Sequence, residues 1–212
     1  MTVRGLNRNL MCMIAHGKTE VFKMLTIKER QTYLKKYGFY TGKIDGIEGS
    51  LTKKAYLALQ KKYFVRKMDI DGTYGPNTDI LLVNLHRVKT YAKNFELKEF
   101  RCGCKGKYCT GYPEYLSIRM LKNLQTTRNW LKRPVSIRSG LRCIRYNAKL
   151  KGSSPKSGHL KGKAVDMYSY PKSLTAKGRK QIIAYFKNLP GYYYAYQGTS
   201  NMGFSTHLEV KE

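Results

Sequence analysis

Two histidines in the second half of the chain lie in settings that suit a metal ion. His159 occurs in the run SGHLKGKAVD, which ends at Asp166, and His207 occurs in the run GFSTHLEV. Residues 163–170 and 202–210 both alternate as β-strands do, which fixes the strand face of each polar side chain. We expect Asp166 and His207 to converge if these two strands are neighbours.

Two imidazoles and one carboxylate would bind Zn²⁺ in a tetrahedral site with one open position, the arrangement of catalytic rather than structural zinc. Such an ion lowers the pKa of a bound water to about 7 and polarises a carbonyl, so hydrolysis needs no nucleophilic side chain. Taken alone the spacing is weak evidence, because single histidines more often form structural hydrogen bonds. His16 and His86 lie outside the pattern, and we expect no catalytic part for them.

A wider pattern around both histidines is more specific than their spacing. The motif S-x-H-x-x-G-x-A-x-D is preceded by SGLRC at residues 139–143 and followed near residue 207 by aromatic-x-x-His-x-acid. Together with FRCGC, which begins at Phe100, these motifs make residues 100–212 resemble the zinc D-alanyl-D-alanine carboxypeptidase family and its phage endolysin relatives. The resemblance implies a zinc peptidase that hydrolyses the stem peptide of bacterial peptidoglycan.

The resemblance also implies roles for single residues. It makes His159, Asp166 and His207 the zinc ligands. It places Arg142 beside a carboxylate of the substrate, where a planar guanidinium can form two parallel hydrogen bonds, and we assign Ser157 to substrate binding as well. Because Arg142 is no ligand, we do not expect its replacement to change the zinc content. Without the motif, an ordinary surface charge would be the simpler interpretation.

The general base is open at this point. The dipeptidase branch of the family has a glutamate three positions before the last histidine, and Phe204 occupies that position here. Glu209 lies two residues after His207 on the same strand face. We assign Glu209 to the catalytic residues, either as the base or, as we prefer, as a partner that orients a metal ligand.

Four of the five cysteines fall between residues 102 and 143. They are Cys102, Cys104, Cys109 and Cys143, while Cys12 stands apart. The spacing is compatible with a four-thiolate metal site, with disulfides or with reduced thiols in a core, and the sequence does not choose among them.

The first half contains an octet, D-G-x-x-G-x-x-T, that occurs twice, beginning at Asp45 and at Asp71. Each octet combines a tight turn with residues that can begin a helix, and helical spacing of apolar residues surrounds both. Residues 24–88 resemble the three-helix peptidoglycan-binding domain of many wall hydrolases, which implies glycan or stem peptide as the ligand. Tyr40 and Tyr74 are candidate contacts. Helix-entry turns of an unrelated bundle are the alternative.

We therefore predict an α+β protein with a small three-helix domain at residues 24–88 and a zinc peptidase domain with an antiparallel sheet at residues 95–212. Residues 91–99 have mixed charge and little periodicity, which predicts a linker. Residues 113–130 show helical spacing, and the strand character begins at Val135.

The net charge of +28 predicts a polyanionic partner. Nucleic acid and anionic wall polymers would be attracted alike, but no recognisable nucleic-acid module accompanies the charge. We expect peptidoglycan as the partner, with anionic wall polymers as a further one and no specific nucleic acid. A non-catalytic wall-binding or virion protein is the alternative, and the complete ligand set argues against it.

The apolar stretch after Arg4 and Arg8 is short for a signal-peptide core of about 7–15 residues. We therefore expect synthesis in the cytoplasm without a signal peptide and action on the cell wall after release, by a monomer without a membrane span. The scissile bond could lie between two D-alanines, between L-Ala and D-Glu, or in a cross-bridge, and the sequence does not choose among them.

Overall fold

The computed structural model of the chain describes residues 10–15, 18–198 and 202–212. The expectation about the N-terminus depended on Arg4 and Arg8, which lie outside the described residues, as does His16. The helices are α1 (Ile27–Lys36), α2 (Ser50–Tyr63), α3 (Pro76–Tyr91), α4 (Ile118–Leu131), α5 (Ile144–Asn147) and α6 (Ala176–Lys187). The strands are β1 (Leu10–Ala15), β2 (Lys18–Lys23), β3 (Ser136–Ser139), β4 (Ala164–Tyr168), β5 (Tyr192–Gln197) and β6 (Thr206–Val210).

The predicted mixed fold, with a helical domain followed by a domain with an antiparallel sheet, is confirmed. Strands β1 and β2 form a separate antiparallel pair ahead of the helices. The first helix begins with a capping box, in which Thr26 accepts from the backbone of Glu29 and the Glu29 carboxylate accepts from the backbone of Thr26. Helices α2 and α3 begin inside the two octets, as their turn and cap residues predict.

Each octet loop is held by a buried glutamine from the preceding helix. The amide of Gln60 donates to Asp71 Oδ1, Thr73 O and Thr78 Oγ1 at 2.9–3.1 Å and accepts from the backbone of Asp71 and Gly72. Gln31 forms the corresponding hydrogen bonds with the first octet: it donates to Asp45, Ile47 and Thr52 and accepts from the backbone of Gly46. The two octets are therefore repeated in structure as well as in sequence.

The peptidase half contains a four-stranded antiparallel sheet in the order β3-β4-β6-β5. Helices α4 and α6 pack on one face of it. Strands β4 and β6 direct a set of apolar side chains toward those helices: Val165, Met167, Leu208 and Val210. Because side chains alternate along a strand, the residues between them lie on the opposite face. That face carries Asp166, His207 and Glu209.

Two sequence-based expectations differ from the structure. Residues 113–130 were expected to be helical, but α4 begins at Ile118, where Ser117 caps the backbone of Met120. The segment 91–99 was expected to be a linker, yet Phe95 and Leu97 are buried in the main core. A short 3₁₀ turn at Leu97–Phe100 gives this segment neither the helical nor the strand period. The sequence therefore carried no periodic signal that its apolar residues are buried.

The two halves are joined by direct contacts. The buried Asp79 of α3 accepts from Leu25 N and Tyr74 Oη with one carboxylate oxygen and from Tyr115 Oη with the other, at 2.7–2.9 Å. Asn84 bonds the backbone of Glu114 and Leu116. One hydrophobic cluster continues from the three helices into the sheet. In the described residues, no helix has the length and apolar character that a membrane span requires.

Candidate metal centre

Asp166 and His207 face each other on adjacent strands, as the alternation predicted. Strand β4 pairs with β6 in a register that sets Asp166 directly opposite His207. The Oδ1 atom of Asp166 lies 2.8 Å from Nδ1 of His207. Both side chains are buried, with exposed fractions of 4% and 5%.

His159 reaches the same carboxylate from a 3₁₀ turn at Gly158–Lys161, which precedes β4. Ser157 caps this turn by accepting from the backbone of His159, at 3.4 Å. The Nε2 atom of His159 lies 3.4 Å from Oδ1 of Asp166. The three predicted ligands are thereby brought together, whereas the hydroxyl of Ser157 is used within the turn.

The hydrogen bonds of both histidines determine which ring nitrogen is available. His159 Nδ1 is 2.7 Å from the carbonyl oxygen of Gly140. A carbonyl only accepts, so Nδ1 carries the hydrogen of the neutral ring and Nε2 carries a lone pair. That buried Nε2 has no hydrogen-bond partner. In His207, Nε2 faces Glu209 Oε2 at 3.3 Å, which favours a hydrogen there and leaves Nδ1 to face Asp166.

The arrangement fits a metal ion. One ligand atom from each of His159, Asp166 and His207 lies within 4.8 Å of the other two. An unpaired buried nitrogen is costly unless a proton or a metal occupies it. Two imidazole nitrogens and one carboxylate form the donor set of a three-ligand zinc site with an open fourth position.

The pKa values of two of these groups favour the forms that bind metal. Burial lowers the pKa of His159, so its ring is neutral at physiological pH. Burial opposes ionisation of Asp166, but the two histidines that face it, His159 and His207, outweigh burial and hold the pKa of Asp166 well below its usual range. For His207 burial is outweighed by hydrogen bonds with Asp166 and Glu209, which raise its pKa. A metal would therefore displace a proton at His207.

Arg142 lies beside the carboxylate of Asp166. Its Nη2 donates to Asp166 Oδ2 at 2.7 Å, and its Nε donates to Ser139 Oγ at 3.0 Å. The backbone N–H of Arg142 also donates to the carbonyl of His159, at 3.1 Å. With Oδ2 held in this way, Oδ1 of Asp166 is the oxygen that faces both histidines. The guanidinium therefore orients the Asp166 carboxylate, and its role toward substrate stays a prediction.

Glu209 lies against the same cluster, and its carboxylate is close to Gly158. A Cβ atom at Gly158 would lie 2.4 Å from Cδ of Glu209, so no larger residue fits there without displacing the carboxylate. The carboxylate is 3.3 Å from His207 Nε2, on the ring edge away from Asp166. This geometry suits the orienting role, because the carboxylate fixes the tautomer and orientation of His207.

Three participants were not predicted from the sequence. They are the carbonyl of Gly140, the hydroxyl of Ser139 and the ring of Tyr196, which stacks on His207 at 4.6 Å between centroids. The motif SGLRC contains the first two without indicating their contacts. The alternation of tyrosines in β5 was the available signal for the third.

The other candidates lie elsewhere. Phe204, at the position of the dipeptidase glutamate, is half exposed, and Arg179 lies over its ring. Tyr40 is buried and donates to Lys43 O, and Tyr74 donates to Asp79, so both hydroxyls are used inside the helical domain. His86 stacks on Tyr33, far along the chain from the metal cluster.

Comparison with known families agrees with this geometry. A family model described as Peptidase M15 matches residues 93–198, which is half of the chain. A model of a peptidoglycan binding domain matches residues 25–79, a stretch that includes α1, α2 and both octets. No curated protein matches the chain. The chain belongs to the Peptidase M15 family and carries an N-terminal peptidoglycan-binding domain.

Proposed function

We propose that this peptidase uses one zinc ion, held by His159, Asp166 and His207, to hydrolyse the stem peptide of bacterial peptidoglycan. The observation that carries the proposal is the buried, unpaired Nε2 of His159, which converges with Asp166 Oδ1 and His207 Nδ1. Family membership and the wall-binding domain supply the substrate class. When bound, zinc would acidify a water and polarise the scissile carbonyl.

The residues of the chain prepare this site before any substrate arrives. Gly140 fixes the tautomer of His159, and Glu209 fixes that of His207. Arg142 holds the far oxygen of Asp166. Each ligand is thereby kept in one orientation, which reduces the reorganisation needed on metal binding.

For the substrate, we propose that Arg142 also binds a carboxylate of the stem peptide, with Ser157 beside it. Nη2 and Nε are engaged by Asp166 and Ser139, but a guanidinium has five N–H groups, so donors remain for a second carboxylate. A free carboxylate next to the scissile bond is present in a D-Ala-D-Ala carboxypeptidase substrate and in an L-Ala-D-Glu endopeptidase substrate. Both activities are therefore candidates.

The cellular role follows from the same premises. We propose an endolysin-like enzyme of bacteriophage type, made in the cytoplasm and acting as a monomer on the wall after release. Its net charge of +28 would attract anionic wall polymers in addition to peptidoglycan.

The alternative is a wall-binding protein without activity, and Phe204 is the observation that favours it. Where the dipeptidase branch has an acidic base, this chain has a half-exposed phenyl ring. The two functions make different predictions for the same preparation, because only the peptidase releases peptides.

Mass spectrometry of digested peptidoglycan tests the proposal and identifies the bond. Wild type with zinc should release peptides with one new terminus, and treatment with a chelator should abolish the release. His159→Ala should be inactive while keeping its circular dichroism spectrum. Wild-type activity in His159→Ala would refute the metallopeptidase, and folded, zinc-loaded wild type without products would support the binding protein.

A further inference from the structure

A second group of metal-binding side chains lies outside the proposed catalytic centre. The sulfur atoms of Cys102, Cys104, Cys109 and Cys143 all lie within 4.8 Å of one another. Three of the four side chains are buried, and Cys109 is partly buried. They form a small cluster of their own, apart from the main hydrophobic core, with Tyr108 and Tyr146 packed around it.

The spacing of the sulfur atoms distinguishes among the three interpretations that the sequence left open. A tetrahedral zinc with Zn–S bonds of about 2.3 Å sets its sulfurs about 3.8 Å apart. Disulfide sulfurs are bonded at about 2.05 Å. Cys104 and Cys109 are 3.5 Å apart, which is close to the first value. Thiols that merely fill a core have no reason to gather four sulfurs around one point.

We propose that Cys102, Cys104, Cys109 and Cys143 bind a second, structural zinc ion through four thiolates. A four-sulfur tetrahedral set is typical of zinc sites whose coordination is closed. No position remains for water, so this ion has no part in hydrolysis. This site and the proposed catalytic zinc site share no ligand.

The local backbone suits thiolate ligands. The backbone N–H of Cys143 donates to the sulfur of Cys102, at 3.3 Å. Hydrogen bonds of this kind stabilise a negatively charged sulfur. Between Cys104 and Cys109 the chain reverses through Lys105 and Gly106, whose φ angles of 52° and 85° lie in the left-handed region. This reversal returns the sulfur of Cys109 to those of Cys102 and Cys104.

The surroundings also suit the charge of the site. Four thiolates and one Zn²⁺ carry a net charge of −2. The ammonium groups of Lys107 and Lys149 both lie over the ring of Tyr108, at 5.7 and 5.6 Å from its centroid, and Tyr108 packs on the cysteine cluster. Cations on the side chain that covers the cluster reduce the cost of holding a partly buried dianion.

The cysteine cluster joins two loops that serve the catalytic centre. Leu141 N donates to Phe100 O at 2.9 Å, so the loop before Cys102 and the loop before Cys143 run side by side. A Cβ atom at Gly140 would lie 2.6 Å from Cα of Phe100, which shows how closely these loops approach. Gly140 accepts from His159, and Arg142 precedes Cys143. A metal there would fix both groups, so its role is to position them.

Metal stoichiometry tests the proposal. The full chain is produced with zinc, purified under reducing conditions without chelators, and analysed for metal and protein. Wild type should contain two zinc ions per chain. His159→Ala/His207→Ala should keep one, and Cys102→Ser/Cys109→Ser should lose one. Cys12→Ser, the matched control outside the cluster, should keep two.

Cobalt substitution supplies a readout that does not depend on the folding of the cysteine variant. In His159→Ala/His207→Ala, bound Co²⁺ should show the sulfur-to-cobalt charge-transfer absorption of a four-thiolate site. Any of three results would overturn the proposal: no metal in this variant, disulfides in the intact mass of freshly purified protein, or iron in place of zinc. Loss of the histidine-bound zinc alone would instead count against the proposed peptidase and leave the cysteine site standing.

Discussion

Replacing Arg142 by lysine separates two roles of this arginine. The substitution keeps the charge but removes the planar fork. In the structure the guanidinium makes a charge-assisted bond to Asp166 Oδ2 at 2.7 Å and a second bond to Ser139 Oγ at 3.0 Å. A single ammonium group cannot reproduce both directions, so Asp166 should lose part of its orientation.

The magnitude follows from those two bonds. A hydrogen bond to a charged group contributes about 1.5–3 kcal/mol and a neutral one about 0.5–1.5 kcal/mol. Lysine retains the charge, so we expect a loss of roughly one charged bond, or about 1.5–3 kcal/mol. At 1.4 kcal/mol per tenfold change, zinc affinity should fall about 10- to 100-fold, the range seen when partners of metal ligands are removed.

Two measurements resolve the roles of Arg142. Competition with a zinc-binding dye gives the affinity, and kcat/KM is then measured at saturating zinc on a stem peptide with a free or an amidated carboxylate. If Arg142 also binds substrate, the lysine variant should lose a further factor of about ten on the free acid only. The matched control is Arg138→Lys in strand β3, four residues before Arg142; the Arg138 side chain is exposed and its guanidinium lies over the ring of Tyr168. Unchanged zinc affinity together with equal losses on both peptides would refute both roles.

Four further outcomes are expected. Gln60→Leu should lower the free energy of unfolding in urea by about 3 kcal/mol, because it removes every hydrogen bond between the Gln60 side chain and the second octet. Gln125→Leu, at a partly exposed position, should change this free energy by about 1 kcal/mol or less, and equal effects would contradict this account. Glu209→Ala should weaken zinc binding about tenfold or more, while a loss confined to kcat at saturating zinc would identify a base instead. Burial, then the charges of Lys36 and Arg87, lower the pKa of His86. The contribution of His86 to stability is therefore complete above the unfolded pKa of about 6.5 and is lost as pH falls through the folded pKa. His86→Phe should flatten the fall in melting temperature between about pH 7.5 and 5.5, and an unchanged slope would exclude this contribution of His86. Inactive full-length protein should sediment with insoluble wall and be released by salt, and full-length protein that stays in the supernatant at every ionic strength would contradict wall binding.

Strand alternation predicted that Asp166 and His207 would face each other if their strands were neighbours. A period of two fixes the face of Asp166 and of His207, so only the adjacency of β4 and β6 was left for the structure to supply. His159 depended on the family motif, because a 3₁₀ turn has too few residues for a periodic signal.

The contacts of Arg142 and the cysteines could not be predicted from the sequence. Nothing in the run SGLRC tells whether the arginine faces substrate or Asp166, and the structure shows that it bonds Asp166, which changes the expectation that zinc binding is indifferent to it. Cys143 is far from Cys102 in the chain, and a loop closure of that length has no local signature.

The junction between the two halves has a mechanical consequence. A domain on a flexible tether samples a volume set by the tether length, and it can reach many substrates from one anchoring point. Asp79 and Asn84 instead fasten α3 to residues just before α4, and residues 91–99 are packed. The distance between the wall-binding domain and the proposed catalytic site is therefore set by the protein and not by a tether. After each cut the enzyme must dissociate from the wall before it can cut elsewhere, so very tight binding by the wall-binding domain would slow it. A diffuse electrostatic attraction from a net charge of +28 suits repeated dissociation and rebinding.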